Sequence, residues 1–515
     1  MGRPIPRSAR RQRLPFAQRT AQTQDIVAPI GGKNTRDSLG AMPITDAVIM
    51  ENWIPAANGL TSRTGSAIVS NDYSTSVETV ISYINGSTST LITAEDGNLW
   101  TDDGADTTAS LGSGFTNDRW FAAKIAANMV LVNGADAPRN FDGSTLTTPT
   151  FTGDLATYGE ENIDGITTHK NRMYMWDSGY GNFFYGGVNS VSGAFSEFNL
   201  NRVSATGGNL LEVKTISRDG GSGPDDYVAF ILSTGEILVY QGSDPGDASN
   251  WSLVGRYQAP PLIAKNCAYG FGGDVLMLTK VDLIKLSDVI KYTTEDGGLN
   301  LRPSKLSGDI KDDFTNYGTN YGWQVTAHPD EGWIIINVPE TVDSKYHQHV
   351  VDTVTGGYTT FTGWDARQFV SHNGNLYFGG ATDLWQGATG FADNGADIQC
   401  IAQGAFSNLA IAKRKAVKNV RTYMESEATL NIDLQIAYDF NDPDFQGTQS
   451  SASEGATWDA EDWDDASWAG VSARQINFVT AGEGVFVSTR AKVDVNGQKV
   501  IWYQSTYNFE ILQTY

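Results

Sequence analysis

Short turns containing glycine or asparagine, each followed by an aliphatic and aromatic strand, recur along most of this 515-residue chain. Four of these repeats are 96–100 (DGNLW), 171–176 (NRMYMW), 235–240 (GEILVY) and 373–380 (NGNLYFGG). Glycine and asparagine tolerate the positive φ of a tight hairpin turn, and aliphatic and aromatic residues suit a half-buried strand. Repetition over several hundred residues is typical of propellers and other repeat arrays. The repeats therefore predict a β-propeller.

The composition also favours an all-β protein. The chain contains 55 glycines, 11% aromatic residues and only 18% charged residues, which suits many tight turns and few solvent-facing helices. Only two short segments, 287–292 and 309–317, are predicted helices. The repeats are spaced by roughly 40–60 residues, near the length of known propeller blades. We therefore predict an irregular six- or seven-bladed β-propeller.

Four regions are predicted along the chain. They are a basic flexible arm at 1–24, an extended segment at 25–76, the propeller at 77–410 and a C-terminal β domain at 411–515. In the last region apolar residues alternate with polar ones at 430, 432, 434 and 436, and again at 501, 503, 507, 509 and 511. A period of two places one face of a strand on a core and the other in water. This predicts an additional β-sandwich-like domain.

The charge is unevenly distributed. The first 20 residues contain no acid and six bases, Arg3, Arg7, Arg10, Arg11, Arg13 and Arg19. The formal net charge is −23, so subtracting this +6 leaves −29 on the rest of the chain. An acidic body repels the nucleic-acid backbone. The basic arm is a candidate contact to an acidic protein partner.

A second candidate contact is a tryptophan-rich acidic segment near the C-terminus. Residues 438–470 contain nine acids and no base. Trp458, Trp463 and Trp468 recur there every five residues, which fits neither a helix nor a strand. We interpret the segment as a long loop whose tryptophans dock on another surface.

Motifs for catalysis or metal binding are weak. His347 and His349 share one face of a predicted strand, but no third ligand follows at a motif spacing. We therefore expect them on an exposed polar face, and predict neither metal nor cofactor. The two cysteines do not define a disulfide framework, and no secretory signal or membrane span is expected.

A carbohydrate-binding or carbohydrate-cleaving, sialidase-like propeller involved in host recognition is the alternative. Residues 93–100 (TAEDGNLW) approximate the Asp-box hairpin of sialidase-type propellers, with Glu95 in place of the aspartate. That hairpin is an element of the fold, and a sialidase also needs an arginine cluster for the substrate carboxylate. Arg172, Arg202 and Arg256 are the arginines whose convergence would support this alternative. An ordinary cellular propeller scaffold is a third possibility.

The order of several short motifs resembles the tail nozzle, or tail-hub, proteins of short-tailed bacteriophages. The motifs are 46–66 (DAVIMENWIPAANGLTSRTGS), 132–134 (VNG) with 141–143 (FDG), 169–176 (HKNRMYMW) with 195–198 (FSEF), 235–242 (GEILVYQG), 267–270 (CAYG) and 350–352 (VVD). The tryptophan-rich acidic segment is also similar to the C-terminal region of some members. The basic arm has no counterpart in that pattern.

This resemblance implies a structural virion protein of the phage tail with no catalytic residue. Such proteins are propellers with added β domains that form a ring, usually of six subunits. The implied partners are the head-to-tail adaptor above the ring and a tail fibre, spike or needle plug. Genomic DNA would pass the acidic channel during ejection without specific binding. Assembly would take place in the host cytoplasm.

Overall fold

The structure is a computed structural model that describes residues 21–105, 108–219, 224–293, 299–426, 430–441, 448–451, 472–479 and 482–512. Residues 3–19 of the basic arm and the three tryptophans at 458, 463 and 468 lie outside the described residues. Regular structure in the described part is mostly β. Three short α-helices accompany it: α1 (Asp154–Tyr158), α2 (Leu286–Tyr292) and α3 (Ser307–Tyr317). The two predicted helices, α2 and α3, are confirmed.

The first strands of the chain belong to several different sheets. They are β1 (Ala21–Val27), β2 (Ala47–Glu51), β3 (Trp53–Ala56), β4 (Gly59–Ser62) and β5 (Gly65–Ser70). Strand β5 completes a propeller blade, whereas the other four join the sheets of the C-terminal sandwich described below. The segment at 25–76 is therefore divided between both parts of the fold.

Four consecutive blades follow along the chain. The first consists of β6 (Thr79–Asn85), β7 (Thr88–Glu95), β8 (Asn98–Asp102) and β9 (Thr108–Ser113), and the second of β10 (Phe121–Ile125), β11 (Asn128–Val132), β12 (Arg139–Phe141) and β13 (Leu146–Thr147). The third consists of β14 (Phe151–Gly153), β15 (Gly165–His169), β16 (Arg172–Trp176), β17 (Asn182–Val188) and β18 (Gly193–Asn199). The fourth consists of β19 (Leu210–Asp219), β20 (Pro224–Leu232), β21 (Glu236–Gly242) and β22 (Trp251–Gln258).

The remaining propeller sheets complete the ring. A three-stranded sheet contains β23 (Ala268–Phe271), β24 (Asp274–Leu278) and β25 (Leu283–Lys285). The next blade contains β26 (Gln324–His328), β27 (Trp333–Thr341), β28 (Lys345–Asp352) and β29 (Tyr358–Phe361), and the last contains β30 (Phe369–His372), β31 (Asn375–Gly379), β32 (Leu384–Thr389) and β5. The protein is thus a β-propeller with six blades of at least four strands, and the three-stranded sheet occupies a seventh position. The predicted fold class is confirmed.

Two kinds of contact close the ring. From the second blade to the last, the innermost strands of neighbouring sheets contact each other, and β30 of the last blade contacts β6 of the first. In addition, β5 from the N-terminal part pairs antiparallel with β32, so that both ends of the propeller chain share one blade. Sharing of this kind fixes the chain segment that enters the first blade to the last blade through main-chain hydrogen bonds.

The hairpin turns have the predicted chemistry. Asp96 and Gly97 both have positive φ, 46° and 71°, between β7 and β8, and Asn373 and Gly374 have 50° and 84° between β30 and β31. Positive φ at both central positions is the geometry of a type I′ turn, whose twist matches that of the flanking strands. The repeats are therefore encoded locally by residues that tolerate this conformation.

The C-terminal strands form a two-layered β-sandwich with the N-terminal ones. They are β33 (Ile398–Gly404), β34 (Lys415–Ser426), β35 (Leu430–Tyr438), β36 (Thr448–Ser451), β37 (Ser472–Val479), β38 (Glu483–Gly484), β39 (Val487–Val495) and β40 (Val500–Ile511). One layer has the order β3-β4-β40-β34-β37, with β1 also on β40 and β38 on β34. The other has the order β2-β33-β39-β35-β36 and continues through β2 into the blade of β26–β29. Propeller and sandwich therefore share one nine-stranded sheet.

The sandwich core agrees with one predicted alternation and with part of the other. Leu430, Ile432, Leu434 and Ile436 of β35 are all buried, as expected. In β40 Tyr507 and Phe509 are buried as predicted. The pairing with β34 shifts register beside Tyr503, so Trp502 is buried whereas Ile501 and Tyr503 are only half-buried. A one-residue shift moves side chains to the opposite face, which a strict period of two misses.

No helix in the described part of the chain is long and apolar enough to cross a membrane.

Candidate functional site

The propeller axis contains a cavity of about 370 Å³. Residues of the innermost strands line it, including Ser82, Glu212, Tyr269 and Ser371. A central cavity bordered by several blades is a common position for a ligand in such folds. Its chemistry depends on which of its polar groups are free.

The charged groups of this axial cavity are paired with each other or with the backbone. Lys265 Nζ lies 2.5 Å from Asp164 Oδ2, and Lys214 Nζ lies 3.1 Å from Glu212 Oε2. Lys124 donates to a backbone carbonyl. A glycosidase needs a carboxylic acid whose surroundings favour its protonated form, whereas the two carboxylates here have ammonium partners. Both carboxylates of the cavity are therefore engaged by lysines.

A serine and a histidine lie together beside the axial cavity. Ser82 Oγ is 2.8 Å from His372 Nδ1, and His372 Nε2 is 3.1 Å from Ser89 Oγ. Burial lowers the pKa of His372. A serine nucleophile needs a histidine that is oriented by a further group, usually a carboxylate. The second nitrogen here contacts a hydroxyl instead, so the pair lacks the third member of a triad.

The buried carboxylates of the blades serve as loop anchors. Glu95 of the Asp-box-like hairpin is buried and accepts hydrogen bonds from the backbone and hydroxyl groups of Ser74 and Thr75 at 2.9–3.3 Å. Glu236 likewise accepts the backbone N–H groups of Ala205 and Thr206. Each carboxylate fastens a loop to its blade, because a buried acceptor needs donors.

One titratable cluster differs from these anchors because it contains two imidazoles. His347 and His349 are two residues apart in β28 and therefore on one face of the strand. Helix α3 packs against the neighbouring strand β27 and brings Asp313 to them. Asp313 Oδ2 lies 2.7 Å from His349 Nε2 and 3.3 Å from His347 Nε2. We call these three residues the His–His–Asp cluster.

The expectation of an exposed polar face at these histidines is wrong. Both are buried, with 8% exposure at His347 and 2% at His349, because α3 covers this part of the sheet. The third donor, Asp313, was missed by sequence reasoning since it precedes the histidines by more than thirty residues. A usable signal was present: Asp309 and Asp313 are one helical turn apart and so lie on the same face of α3.

Side chains outside the His–His–Asp cluster form hydrogen bonds with the second nitrogen of each imidazole ring. His347 Nδ1 lies 2.9 Å from Glu340 Oε1, and His349 Nδ1 lies 3.4 Å from Thr360 Oγ1. Burial by itself lowers the pKa of His347, but hydrogen bonds and attraction to Asp313 and Glu340 outweigh it and raise this pKa to about 9. Burial lowers the pKa of His349. Hydrogen bonds from both histidines hold the pKa of Asp313 far below its usual range, against the effect of burial.

The three arginines named for the sialidase-like alternative, Arg172, Arg202 and Arg256, do not form a carboxylate-binding group in the axial cavity. Arg172 is bound to Asp244, at 2.5 Å, and to a backbone carbonyl. Neither it nor Arg202 or Arg256 is among the residues that line the cavity. The proposed contact residues Arg3, Arg7, Arg10, Arg11, Arg13, Trp458, Trp463 and Trp468 lie outside the described residues.

No family model and no curated relative matches this chain. Among solved structures, it is similar to YCF48 from Cyanidioschyzon merolae, with 12% identity, a TM-score of 0.37, and coverage of 63% of this chain and 98% of that one. It is also similar to YCF48 bound to D1 peptide (10% identity, TM-score 0.39, 68% of this chain and 99% of that one). A third similarity is to BBS1N in complex with ARL6DN (12% identity, TM-score 0.28, 43% of this chain and 72% of that one).

Proposed function

We propose that this protein is a structural virion protein, the subunit of a ring-shaped tail nozzle of a short-tailed bacteriophage, without enzymatic activity. The observation that carries the proposal is the agreement between motif order and blade order. The motif at 132–143 lies in the second blade, that at 169–198 in the third and that at 235–242 in the fourth. The next two motifs begin β23 and end β28.

The charge distribution supports a role around DNA without tight binding. The chain outside its first 20 residues carries a net charge of −29 by the arithmetic above. Proteins that bind DNA release counterions by placing lysine and arginine on phosphates. An acidic wall repels the phosphates instead, which lets a genome slide through a channel during ejection.

The topology of the sandwich supports a ring contact. Strand β36 lies within the tryptophan-rich acidic segment, so this part of the segment is not loop, and β37 follows the segment along the chain. Both are edge strands of the two sandwich layers, and they contact each other. The basic arm at 1–24 leads into β1 of the same sandwich, and its residues 21–24 already belong to that strand. Heterologous rings need two different complementary surfaces on each subunit. We propose that the arm of one subunit binds the acidic segment of its neighbour, and that the ring has six subunits.

Light scattering after size-exclusion chromatography and negative-stain microscopy test this proposal on the full chain. The expected result is a ring, alone or on co-expression with the head-to-tail adaptor. Replacing the five arginines at 3, 7, 10, 11 and 13 with glutamine should abolish the ring, whereas the matched lysine replacement should retain it. A wild-type protein that stays monomeric with the adaptor present would contradict the proposal. Binding or hydrolysis of glycans by that monomer would favour the carbohydrate alternative.

A further inference from the structure

The His–His–Asp cluster has donor atoms suited to a transition-metal cation. The ligand atoms of Asp313, His347 and His349 all lie within 4.8 Å of one another. Imidazole nitrogens and carboxylate oxygens bind Zn²⁺ at about 2.0–2.2 Å. We propose that this cluster is a binding site for a divalent transition-metal cation, zinc foremost.

The separations within the cluster are close to those of metal ligands. Bonds of about 2.0–2.1 Å in tetrahedral geometry place ligand atoms roughly 3.3 Å apart. His347 Nε2 and Asp313 Oδ2 already have this separation of 3.3 Å. The 2.7 Å contact between His349 and Asp313 is a hydrogen bond, and it lengthens when a cation replaces the proton between the two atoms. The Asp313 side chain is 14% exposed, so the cluster reaches solvent, from which a water would come as the fourth ligand.

The outer contacts match the second shell of a metal site. A ligating histidine normally donates its other ring N–H to a carboxylate, carbonyl or hydroxyl group, which fixes the tautomer that points the free nitrogen at the metal. His347 has the Glu340 carboxylate 2.9 Å from Nδ1. His349 has the Thr360 hydroxyl 3.4 Å from Nδ1. Both Nε2 atoms are thereby directed towards Asp313.

The neighbouring carboxylates each have a lysine partner, so Asp313 is the carboxylate that would bind the cation. Lys33 lies 2.5 Å from Asp309, and Lys345 lies 2.6 Å from Glu340. Among the described residues, the ion pairs of Asp313 are those with the two histidines. A divalent cation would supply positive charge at this buried carboxylate. Since α3 and β28 each contribute ligands, the cation would fasten the helix to the blade, whatever the function of the whole protein.

Metal titration of the full chain, freed of any histidine tag and treated with a chelator, tests the site. Zn²⁺ and Co²⁺ are titrated in competition with a chromophoric chelator, and the thermal midpoint is recorded. We expect one tight equivalent and a raised midpoint. His347→Gln and Asp313→Asn should lose the tight equivalent, and Glu340→Gln should weaken it by about 10–100-fold. The matched control His372→Gln changes a buried histidine whose partners in the described part of the chain are Ser82, Ser89 and Asn373 rather than a carboxylate, and it should bind as wild type.

Equal affinity and stoichiometry in wild type, His347→Gln and Asp313→Asn would overturn the proposal, as would the absence of tight binding in the folded wild type. Because a variant at a buried histidine can impair folding, the Co²⁺-loaded wild type provides an independent measurement. X-ray absorption at the cobalt edge should show two imidazole nitrogens per metal. Ligation by oxygen alone would assign the metal to surface carboxylates and overturn the site.

Discussion

Replacing Arg63 with methionine should strongly destabilise the junction between propeller and sandwich. The Arg63 side chain is 1% exposed, and it forms a two-pronged ion pair with Asp393 at 2.5 and 3.0 Å. It also donates to Asn52 Oδ1 and to the carbonyl of Thr362, both at 2.8 Å. Its guanidinium lies 4.9 Å from the ring centroid of Trp364. From its position just after β4, this side chain thus joins the turn between β2 and β3, the loop after β29 and the loop after β32.

The expected loss in the free energy of unfolding follows from the groups that stay buried without Arg63. Removing one partner of a buried ion pair costs about 3–5 kcal/mol, because the remaining charge stays buried without compensation. Asp393 is 14% exposed and keeps hydrogen bonds from Ser66 and Trp364. We therefore expect the lower end, a loss of about 3 kcal/mol in the free energy of unfolding. Arg63→Lys keeps the charge but not the two-pronged geometry and should cost about 2 kcal/mol.

Urea unfolding followed by tryptophan fluorescence and far-ultraviolet circular dichroism measures this effect. The control Arg36→Met removes a partly exposed pair with Asp37 and should cost about 0–1 kcal/mol. The double variant Arg63→Met with Asp393→Asn should cost less than the sum of the two single changes, because they share one interaction. A loss below about 1 kcal/mol for Arg63→Met, or additive single effects, would refute the reasoning.

Three further predictions concern stability and use the same unfolding measurement. Gly65→Ala should lower the free energy of unfolding by about 1–3 kcal/mol or more, because a Cβ there would lie 1.9 Å from a backbone carbonyl oxygen. The control Gly404→Ala should be near neutral, because a Cβ at that position meets nothing within 4 Å. Glu95→Gln should cost about 1–3 kcal/mol through its lost loop hydrogen bonds, and the exposed control Glu161→Gln should stay within about 0.5 kcal/mol of wild type. Trp502→Ala removes a buried ring from the sandwich core and should cost about 3–5 kcal/mol; a cost near zero would contradict the register assigned to β40.

The candidate metal site shows where sequence reasoning reached its limit. A period of two in β28 correctly places His347 and His349 on one face. Their burial and their third partner depend on how α3 packs against the neighbouring strand, which no local pattern specifies. Asp309 and Asp313 mark one face of that helix, but the sequence does not tell which sheet the face meets. A prediction of no metal ligand followed from spacing along the chain, whereas metal ligands are selected by distance in space.

By itself the sequence determined the all-β class, the turn positions and the approximate number of blades. These properties are local: positive φ at Gly97 or Gly374 and the alternation along β35 each depend on a few adjacent residues. Tertiary structure alone decided that β5 closes the last blade and that β1–β4 build the sandwich with the C-terminal strands. It also decided the register shift in β40 and the formation of the His–His–Asp cluster. Such pairings join residues far apart in the chain, and their free energy comes from burial and hydrogen bonds that exist only once the partners meet.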